Sequence, residues 1–179
     1  MDEGDYPDDR DEYNAAVNAA IRETKEEAGL DVTPGQLVYL SHWTTPAGAK
    51  RRFATWFFLT ILDDGQEVQV DGGEISSHRW VSPKTALAES ANADYSLRLM
   101  PPTFVSLWDI SDCQNCGEAR ERIGVRGAML YAPRMVVIED GICFVYEGDV
   151  AYEESDLEIE GVRHRLYMVN DQLDYIRQF

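Results

Sequence analysis

The sequence predicts an α/β fold over residues 1–112, followed by a β-rich C-terminal extension over residues 113–179. The first part is predicted by an alanine-rich segment with helical periodicity and by apolar runs separated by proline and glycine turns. The second part is predicted by apolar runs joined through a Glu-Asp-Gly turn. A chain of 179 residues is long enough for one well-buried core and a modest appendage, so we expect a single domain with an extension.

The first predicted element is a helix from about Glu12 to Ala28. Four of the six residues from 15 to 20 are alanine, an excellent helix former, and Gly29 supplies the stop. Residues 1–11 are mostly acidic and include Pro7, so we expect a loop or disorder there. One stripe of the helix is expected to pack on a sheet, and it consists of Tyr13, Val17, Ile21 and Ala28.

Four strands are predicted between this helix and residue 81. Gln36 to Trp43 is rich in leucine, valine and tyrosine, which favours a strand. Phe53 to Leu62 is almost continuously apolar or β-branched, which predicts a strand buried on both faces. We expect a short strand around Val68 and another at Arg79 to Val81.

Two helices and three strands complete the predicted elements. One helix opens at Ser82-Pro83, because proline is favourable at the first helical position. Another starts at Pro101-Pro102 and runs through Trp108, with apolar residues spaced three and four apart. The three later strands are Met135 to Ile138, Ile142 to Tyr146 and Arg163 to Val169.

The composition excludes some classes of partner. The formal net charge is -17, whereas nucleic-acid polymers and anionic membranes are recognised through basic patches, so neither is expected to bind. No apolar run approaches the ~20 residues that span a bilayer, and the acidic N-terminal residues lack the pattern of a secretory signal. We therefore expect a cytoplasmic protein. An anionic substrate would need a cation to screen the repulsion.

The cysteines allow two interpretations. Cys113, Cys116 and Cys143 form an odd and sparse set, which does not indicate a disulfide framework. Together with His164 they would supply four zinc ligands, but Cys143 and His164 lie far along the chain from the first pair. Reduced cysteines of minor structural importance are the favoured interpretation.

Three glutamates lie on one face of the first predicted helix: Glu23, Glu26 and Glu27. Spacings of three and four place their side chains within about 100° of arc, where they can converge on one point. Like charges at these spacings destabilise a helix by roughly 0.2–0.5 kcal/mol per pair, and a divalent cation would reverse that balance. Mg²⁺ accepts carboxylate oxygens, keeps several waters and bridges phosphates. A solvated helix face, with Arg22 and Lys25 in surface pairs, is the alternative for these residues taken alone.

The nine residues from Arg22 to Leu30 resemble the end of the Nudix hydrolase signature, R-E-U-x-E-E-x-G-U, in which U is apolar. The run here is R-E-T-K-E-E-A-G-L, which matches at every defined position except Thr24. The resemblance implies a Nudix-like α/β/α sandwich with a mixed sheet. It also implies a divalent metal cofactor, Mg²⁺ or Mn²⁺.

The resemblance further implies roles for individual residues. Glu26 and Glu27 would be catalytic metal ligands, with Glu23 as a further ligand or partner, and Arg22 would orient these acids. Glu74 stands where many relatives carry another acidic ligand or the catalytic base. An exposed turn glutamate is the alternative for Glu74.

Arg51 and Arg52 are candidate substrate-binding residues. Guanidinium groups pair bidentately with diphosphates, and cations are few in this sequence. Ordinary surface charge at the entry to a strand is the alternative, and it is favoured for Arg51.

Segments beyond the helix resemble the branch of the family that contains coenzyme A diphosphatases and their bacterial relatives. The resemblance covers about Tyr13 to Ile110 and implies a nucleoside diphosphate joined to another group as substrate, with coenzyme A or an acyl-CoA as candidates. The segments that carry it are residues 40–46, 51–58, 73–74, 79–83 and 99–103.

Two positions of the full signature differ. Asp8 replaces a glycine and Asn14 replaces a glutamate, and we find no convincing version of the usual N-terminal strand or Pro-Gly-Gly loop. We therefore predict a Nudix-like fold that lacks that strand. Three functions stay open: a metal-dependent pyrophosphohydrolase of small-molecule diphosphates, a catalytically impaired module that binds a nucleotide or protein partner, and an acidic scaffold. Family members are often dimers, so a homodimer is included among the expectations.

Overall fold

The structure, a computed structural model, describes residues 10–46, 51, 53–73, 75–92, 94–95 and 97–179. Within these residues the helices are α1 (Arg10–Ala28), α2 (Pro83–Ser90), α3 (Pro101–Ile110) and α4 (Cys116–Arg126). The strands are β1 (Val38–Thr44), β2 (Ala54–Leu59), β3 (Met129–Tyr131), β4 (Arg134–Ile138), β5 (Gly141–Val145), β6 (His164–Val169) and β7 (Gln172–Arg177). No helix in this part of the chain is long and apolar enough to cross a membrane.

The first sheet is mixed and has the strand order β2-β1-β3. Strand β1 pairs antiparallel with β2 and parallel with β3. On one face, Tyr13 of α1 packs against Tyr39 and Trp56, with ring centroids 5.6 and 5.7 Å apart. On the other face, Trp43 packs with Phe104 of α3 in the main core. The predicted arrangement of helices on both faces of a mixed sheet is therefore confirmed.

The second sheet is an antiparallel meander with the order β4-β5-β6-β7. It shares the main core with the first sheet, because Trp43 stacks on Tyr131 at 3.9 Å and both lie in one cluster with Tyr146 and Leu166. The predicted β-rich C-terminal part is confirmed, and the turn at residues 139–141 joins β4 to β5 as expected.

The three predicted helices are confirmed, and only the start of α1 differs from the prediction. Helix α1 begins at Arg10, two residues before the predicted start, so residues 10 and 11 are helical and not a loop; residues 1–9 lie outside the described residues. Helix α2 has the expected proline start, and its Ser82 side chain accepts a hydrogen bond from the Thr85 backbone. Helix α3 also begins at proline as predicted.

Three predictions about strands are wrong. Strand β2 is only partly buried: Trp56 packs on Tyr13 and Phe57 on the main core, but its first two residues are exposed. No strand forms around Val68, because the neighbouring backbone N–H groups bond to the end of α1 instead of to a ladder. Arg79 to Val81 is also irregular, with Trp80 74% exposed. Elements that the sequence reasoning missed are α4, β3 and β7.

A buried ion pair holds the second sheet together. The Arg165 guanidinium donates from Nε and Nη2 to the two carboxylate oxygens of Asp149, at 2.7 and 2.5 Å, and both side chains are almost fully buried. Asp149 also accepts the backbone N–H groups of Ala151 and His164. Burial by itself raises the pKa of the Asp149 carboxyl, but the bonds from Arg165 and the two backbone groups outweigh it, so the net pKa lies below its ordinary value.

His164 lies beside this pair and is held as a neutral ring. Its Nδ1 lies 2.6 Å from the Glu147 carbonyl oxygen and its Nε2 lies 2.8 Å from the Tyr175 hydroxyl. Because a carbonyl oxygen only accepts, we infer that Nδ1 carries the proton and that Nε2 accepts from the tyrosine. Burial lowers the pKa of His164.

We expect His164 to make the folded state less stable as pH falls. The unfolded chain gains a proton on this residue near pH ~6.5, whereas the folded chain resists it, so the stability difference appears below that pH. Between about pH 7.5 and 5.5 the wild type should lose more unfolding free energy than His164→Gln, by at most about 1.4 kcal/mol per pH unit. Urea unfolding at both pH values measures this. Parallel pH profiles for the two proteins would contradict the prediction.

Candidate functional site

The three predicted acidic residues lie at the C-terminal end of α1. The Arg22 guanidinium donates from Nη1 to Glu26 at 2.7 Å and from Nη2 to Glu23 at 2.9 Å. The side chains of Arg22, Glu23 and Glu26 are each more than half exposed. Glu27 is partly buried and has interactions of its own. The cluster is therefore a solvent-accessible surface in which Arg22 bridges two of the carboxylates.

Arg22 moderates the electrostatic repulsion between these acids. Glu26 first, and Glu23 after it, raise the pKa of the Arg22 guanidinium, so it stays charged at every accessible pH. Each carboxylate thereby gains an exposed ion pair, which offsets part of the like-charge cost on the helix face. The contacts agree with the orienting role expected of Arg22, and that role stays a prediction.

Helix α1 ends in a tight glycine turn directly after the acidic residues. Gly29 has φ +70°, its N–H donates to the Lys25 carbonyl at 3.1 Å, and the Leu30 N–H donates to Thr24 at 3.4 Å. The bond from Gly29 to Lys25 is that of the αL C-cap motif, and both bonds satisfy carbonyls that the helix leaves open. The stop predicted at Gly29 is confirmed, and it fixes where the acidic face ends.

A second segment, residues 66–73, docks on the end of this helix, and we call it the docking segment. The Gln69 N–H donates to the Ala28 carbonyl at 2.8 Å, and the Asp71 N–H donates to the Glu27 carbonyl at 3.2 Å. The Gln66 side-chain amide bonds both the N–H and the carbonyl of Asp31. The last turn of α1 is thus held in place by backbone contacts from a distant part of the chain.

The docking segment ends in a small loop beside Glu27. The Asp71 carboxylate accepts the Ile75 N–H at 3.1 Å, and the Gly72 N–H donates to the Ile75 carbonyl at 3.1 Å. Glu74 lies outside the described residues, but its chain neighbours Gly73 and Ile75 belong to this loop. The loop therefore starts from a residue bonded to the acidic helix.

Replacing Gly29 with alanine is expected to reduce the free energy of unfolding by about 1–2 kcal/mol or more. A side chain at φ +70° is strained, and the added Cβ would lie 3.1 Å from Gln69 Cβ. Gly124→Ala is the matched control. Gly124 lies inside α4 with open space around it, so that change should stabilise the protein by about 0.5–1 kcal/mol. Denaturant unfolding of both variants tests this, and equal effects would contradict it.

Of the two predicted substrate-binding arginines, the structure describes one. Arg51 is exposed just before β2, and Arg52 lies outside the described residues. Arg51 makes no hydrogen bond or ion pair with another described residue. The role of both residues in binding a diphosphate stays a prediction.

The three glutamates have the right donor atoms for a divalent cation, but their side chains are not arranged around a common point in this structure. Glu23, Glu26 and Glu27 supply hard carboxylate oxygens on an open surface, as Mg²⁺ prefers. Among the described residues, however, no three acidic, histidine or cysteine side chains already lie close enough together to hold a metal. Two of the carboxylates are engaged by Arg22.

The cysteines lie apart from the acidic helix. Cys143 is fully buried in β5 beside Val145 and Ala151, and burial raises the pKa of its thiol to about 11. Cys116 is exposed at the start of α4 and Cys113 lies just before it. All three are free thiols.

The sequence reasoning missed the docking segment. It assigned Val68 to a strand, and only the Gly72-Gly73 pair marked the loop that follows. The bonds from Gln69 and Asp71 to α1 are made by backbone atoms, so no residue type signals them. Gln66 lies between Asp64-Gly65 and Glu67, so nothing in its local sequence singles it out, and its partner Asp31 is 35 positions away.

Comparison with known proteins gives one family match. The sequence model of the NUDIX domain matches residues 9–100, which include the acidic helix, the docking segment and α2. No solved structure matches the chain.

Three curated proteins resemble the chain at low identity. Acyl-coenzyme A diphosphatase NUDT19 of Xenopus laevis is 28% identical over 145 residues, covering 77% of this chain and 37% of that protein. The NUDT19 protein of Homo sapiens is 29% identical over 137 residues, covering 72% and 36%. Putative nudix hydrolase 7 of Caenorhabditis elegans is 25% identical over 134 residues, covering 74% and 45%. The chain thus spans less than half the length of these relatives.

Proposed function

Because the chain belongs to the Nudix family, whose domain model matches residues 9–100, we propose that it is a metal-dependent pyrophosphohydrolase. Its substrate is a nucleoside diphosphate linked to another moiety, with coenzyme A or an acyl-CoA favoured. Two relatives named acyl-coenzyme A diphosphatase support that choice. The observation that carries the proposal is the run from Arg22 to Leu30, which ends α1 with three carboxylates on its surface.

The donor atoms support a hard divalent cation, Mg²⁺ by preference or Mn²⁺ in its place. Glu23, Glu26 and Glu27 would hold it, and Arg22 would have to release at least one of its two carboxylates. Bound there, the cation supplies positive charge that neutralises the diphosphate oxygens and activates the attacking water. A cation at these glutamates would screen their repulsion of an anionic diphosphate in this strongly acidic chain.

In the proposed reaction, water attacks one phosphorus of the diphosphate. A new P–O bond forms, the bridging P–O bond breaks, and the bridging oxygen leaves with its electron pair on the second phosphate. Glu74 is proposed to accept the proton of the attacking water or to serve as a further ligand. Arg51 and Arg52 are proposed to pair with oxygens of the diphosphate.

The proposal is tested by a panel of nucleoside-diphosphate-linked compounds that includes coenzyme A and an acyl-CoA. With Mg²⁺ we expect two phosphorylated products from at least one compound. EDTA should reduce the rate to background, and added Mg²⁺ or Mn²⁺ should restore it. Turnover that persists in EDTA would contradict metal dependence, and a panel without turnover would contradict the hydrolase.

A second candidate is a catalytically impaired module that binds a nucleotide or a protein partner. It is supported by Asp8 and Asn14, which replace the glycine and glutamate of the family signature. Calorimetry with Mg²⁺ and a nucleotide panel distinguishes the two candidates, because a binding module shows affinity without turnover.

Two further expectations concern the cellular compartment and the oligomeric state of the protein. Three free cysteines support a reducing compartment, and we place the protein in the cytoplasm on that ground. The homodimer stays a prediction. Light scattering of the purified chain measures its mass, and a mass equal to that of the single chain would contradict the dimer.

A further inference from the structure

An open pocket of about 570 Å³ lies in the connection between α2 and α3 and at the irregular segment before α2. Its lining residues are Arg79, Glu89, Tyr95, Leu97 and Arg98. None of them belongs to the acidic face of α1 or to the docking segment. The family signature and the proposed reaction leave all five without a role.

The pocket carries positive charge in a strongly acidic protein. Arg79 donates to both carboxylate oxygens of Glu89, which is only 13% exposed. Arg98 donates from Nη1 to the backbone carbonyls of Tyr95 and Leu97, at 2.8 and 3.1 Å. Within the described part of the chain, no carboxylate lies within ion-pair distance of Arg98. Two guanidinium groups and one carboxylate leave this pocket with one net positive charge.

The rest of the lining is aromatic and aliphatic. The Tyr95 side chain is about half exposed and lines the same pocket as Arg79. Leu97 is partly buried and adds an apolar wall. An anion that carries a planar or apolar group would satisfy both parts of the pocket, because guanidinium binds phosphate oxygens bidentately and an aromatic ring stacks on a flat ligand.

The pocket lies in a different layer of the fold from the acidic helix. Leu87 and Leu99, which flank the connection, pack on the core that contains Trp43 and Phe104. Helix α1 packs through Tyr13 on the opposite face of the first sheet. The pocket is therefore built on the α3 side of the sheet.

We propose that this pocket is a phosphate-binding site for a phosphate monoester attached to a planar or apolar group. Arg98 supplies the charge that no carboxylate of the described residues neutralises, Arg79 supplies a second fork of donors, and Tyr95 contacts the attached group. The phosphate belongs either to a distal part of the hydrolase substrate or to a separate small molecule.

Calorimetry with AMP, in the presence of EDTA, tests the site while the metal-dependent chemistry is silent. We expect a dissociation constant of about 1 mM or lower for the wild type and binding at least about tenfold weaker for adenosine, which lacks the phosphate. Arg98→Gln should weaken AMP binding by about tenfold or more. Arg120→Gln is the matched control, since Arg120 is exposed and bonds only a backbone carbonyl elsewhere, and it should bind AMP like the wild type.

A variant that is expected to bind AMP more tightly provides a further test, because a misfolded protein would not gain affinity. Glu89→Gln removes the carboxylate that competes for Arg79, so it should tighten AMP binding about two- to fivefold. The proposal is overturned if the wild type does not bind AMP, if Arg98→Gln and Arg120→Gln bind it equally, or if Glu89→Gln binds it more weakly than the wild type.

Steady-state kinetics then identify the source of the phosphate, and this arm alone rests on the proposed hydrolase function. Two diphosphate substrates are compared that differ only in one additional phosphate monoester. If the phosphate is part of the substrate, Arg98→Gln raises KM for the phosphorylated compound alone. If it belongs to a separate ligand, Arg98→Gln loses AMP binding while KM is unchanged for both compounds. Either outcome supports the phosphate site, and a hydrolase that fails to turn over leaves the calorimetric test intact.

Discussion

Replacing Glu27 with glutamine is expected to reduce kcat for a nucleoside-diphosphate-linked substrate by about 10²- to 10³-fold or more. Glutamine has nearly the same size but no charge, so a divalent cation at the end of α1 would lose one of its hard anionic ligands. The loss is of the size seen when a group that stabilises charge in the transition state is removed. The rate of product formation with saturating Mg²⁺ measures it.

Glu12→Gln is the matched control for this experiment. Glu12 lies near the other end of α1, is exposed and also carries one negative charge, so its removal should leave kcat within about twofold of the wild type. Circular dichroism should be the same for both variants because glutamine has nearly the size of glutamate and is compatible with a helix. If Glu27→Gln is as active as Glu12→Gln, Glu27 has no part in catalysis and the prediction is wrong.

Replacing Arg165 with methionine is expected to destabilise the fold by about 3–5 kcal/mol. The Asp149 carboxylate would be left buried with no countercharge, and its bonds from the Ala151 and His164 backbone cannot replace the lost guanidinium. Asp149→Ala should cost at least as much, because it also leaves those two N–H groups unpaired. Urea unfolding with a fixed m value measures both variants.

An exposed ion pair provides the comparison. Lys25 and Asp31 lie 2.8 Å apart with both side chains more than half exposed, so Lys25→Met should change stability by no more than about 1 kcal/mol. The contrast comes from burial and not from distance, since the two pairs have similar separations. Equal costs for Lys25→Met and Arg165→Met would show that the buried pair contributes no more than a surface pair.

Helices α1, α2 and α3 were predictable from sequence because their signals are local, whereas α4 was missed. Alanines and Gly29 marked α1, and Ser82-Pro83 and Pro101-Pro102 marked the starts of α2 and α3. Strand assignments failed where pairing partners decide the outcome. Phe53 to Leu62 contains the apolar residues of a buried strand, but β2 lies at the sheet edge, and no periodicity in the sequence reports that position.

The sequence predicted which acidic residues share a face of α1, but not which other parts of the chain contact the end of that helix. The spacing of Glu23, Glu26 and Glu27 follows from helix geometry alone. The docking segment depends on backbone bonds between residues about 40 positions apart, such as Gln69 to Ala28, and these leave no mark on side-chain pattern. The same limit applies to the pocket at Arg98, which a loop assembles.

Because β1 pairs in parallel with β3, the first sheet can be completed only late in the synthesis of this chain. The Thr44 hydroxyl donates to the Tyr131 carbonyl, 87 positions later, so the second edge of the central strand is covered only after β3 has been synthesised. Non-local pairing of this kind slows folding and exposes a bare strand edge meanwhile. We therefore expect this exposed strand edge to be a site of aggregation in the nascent protein until α4 and β3 have emerged.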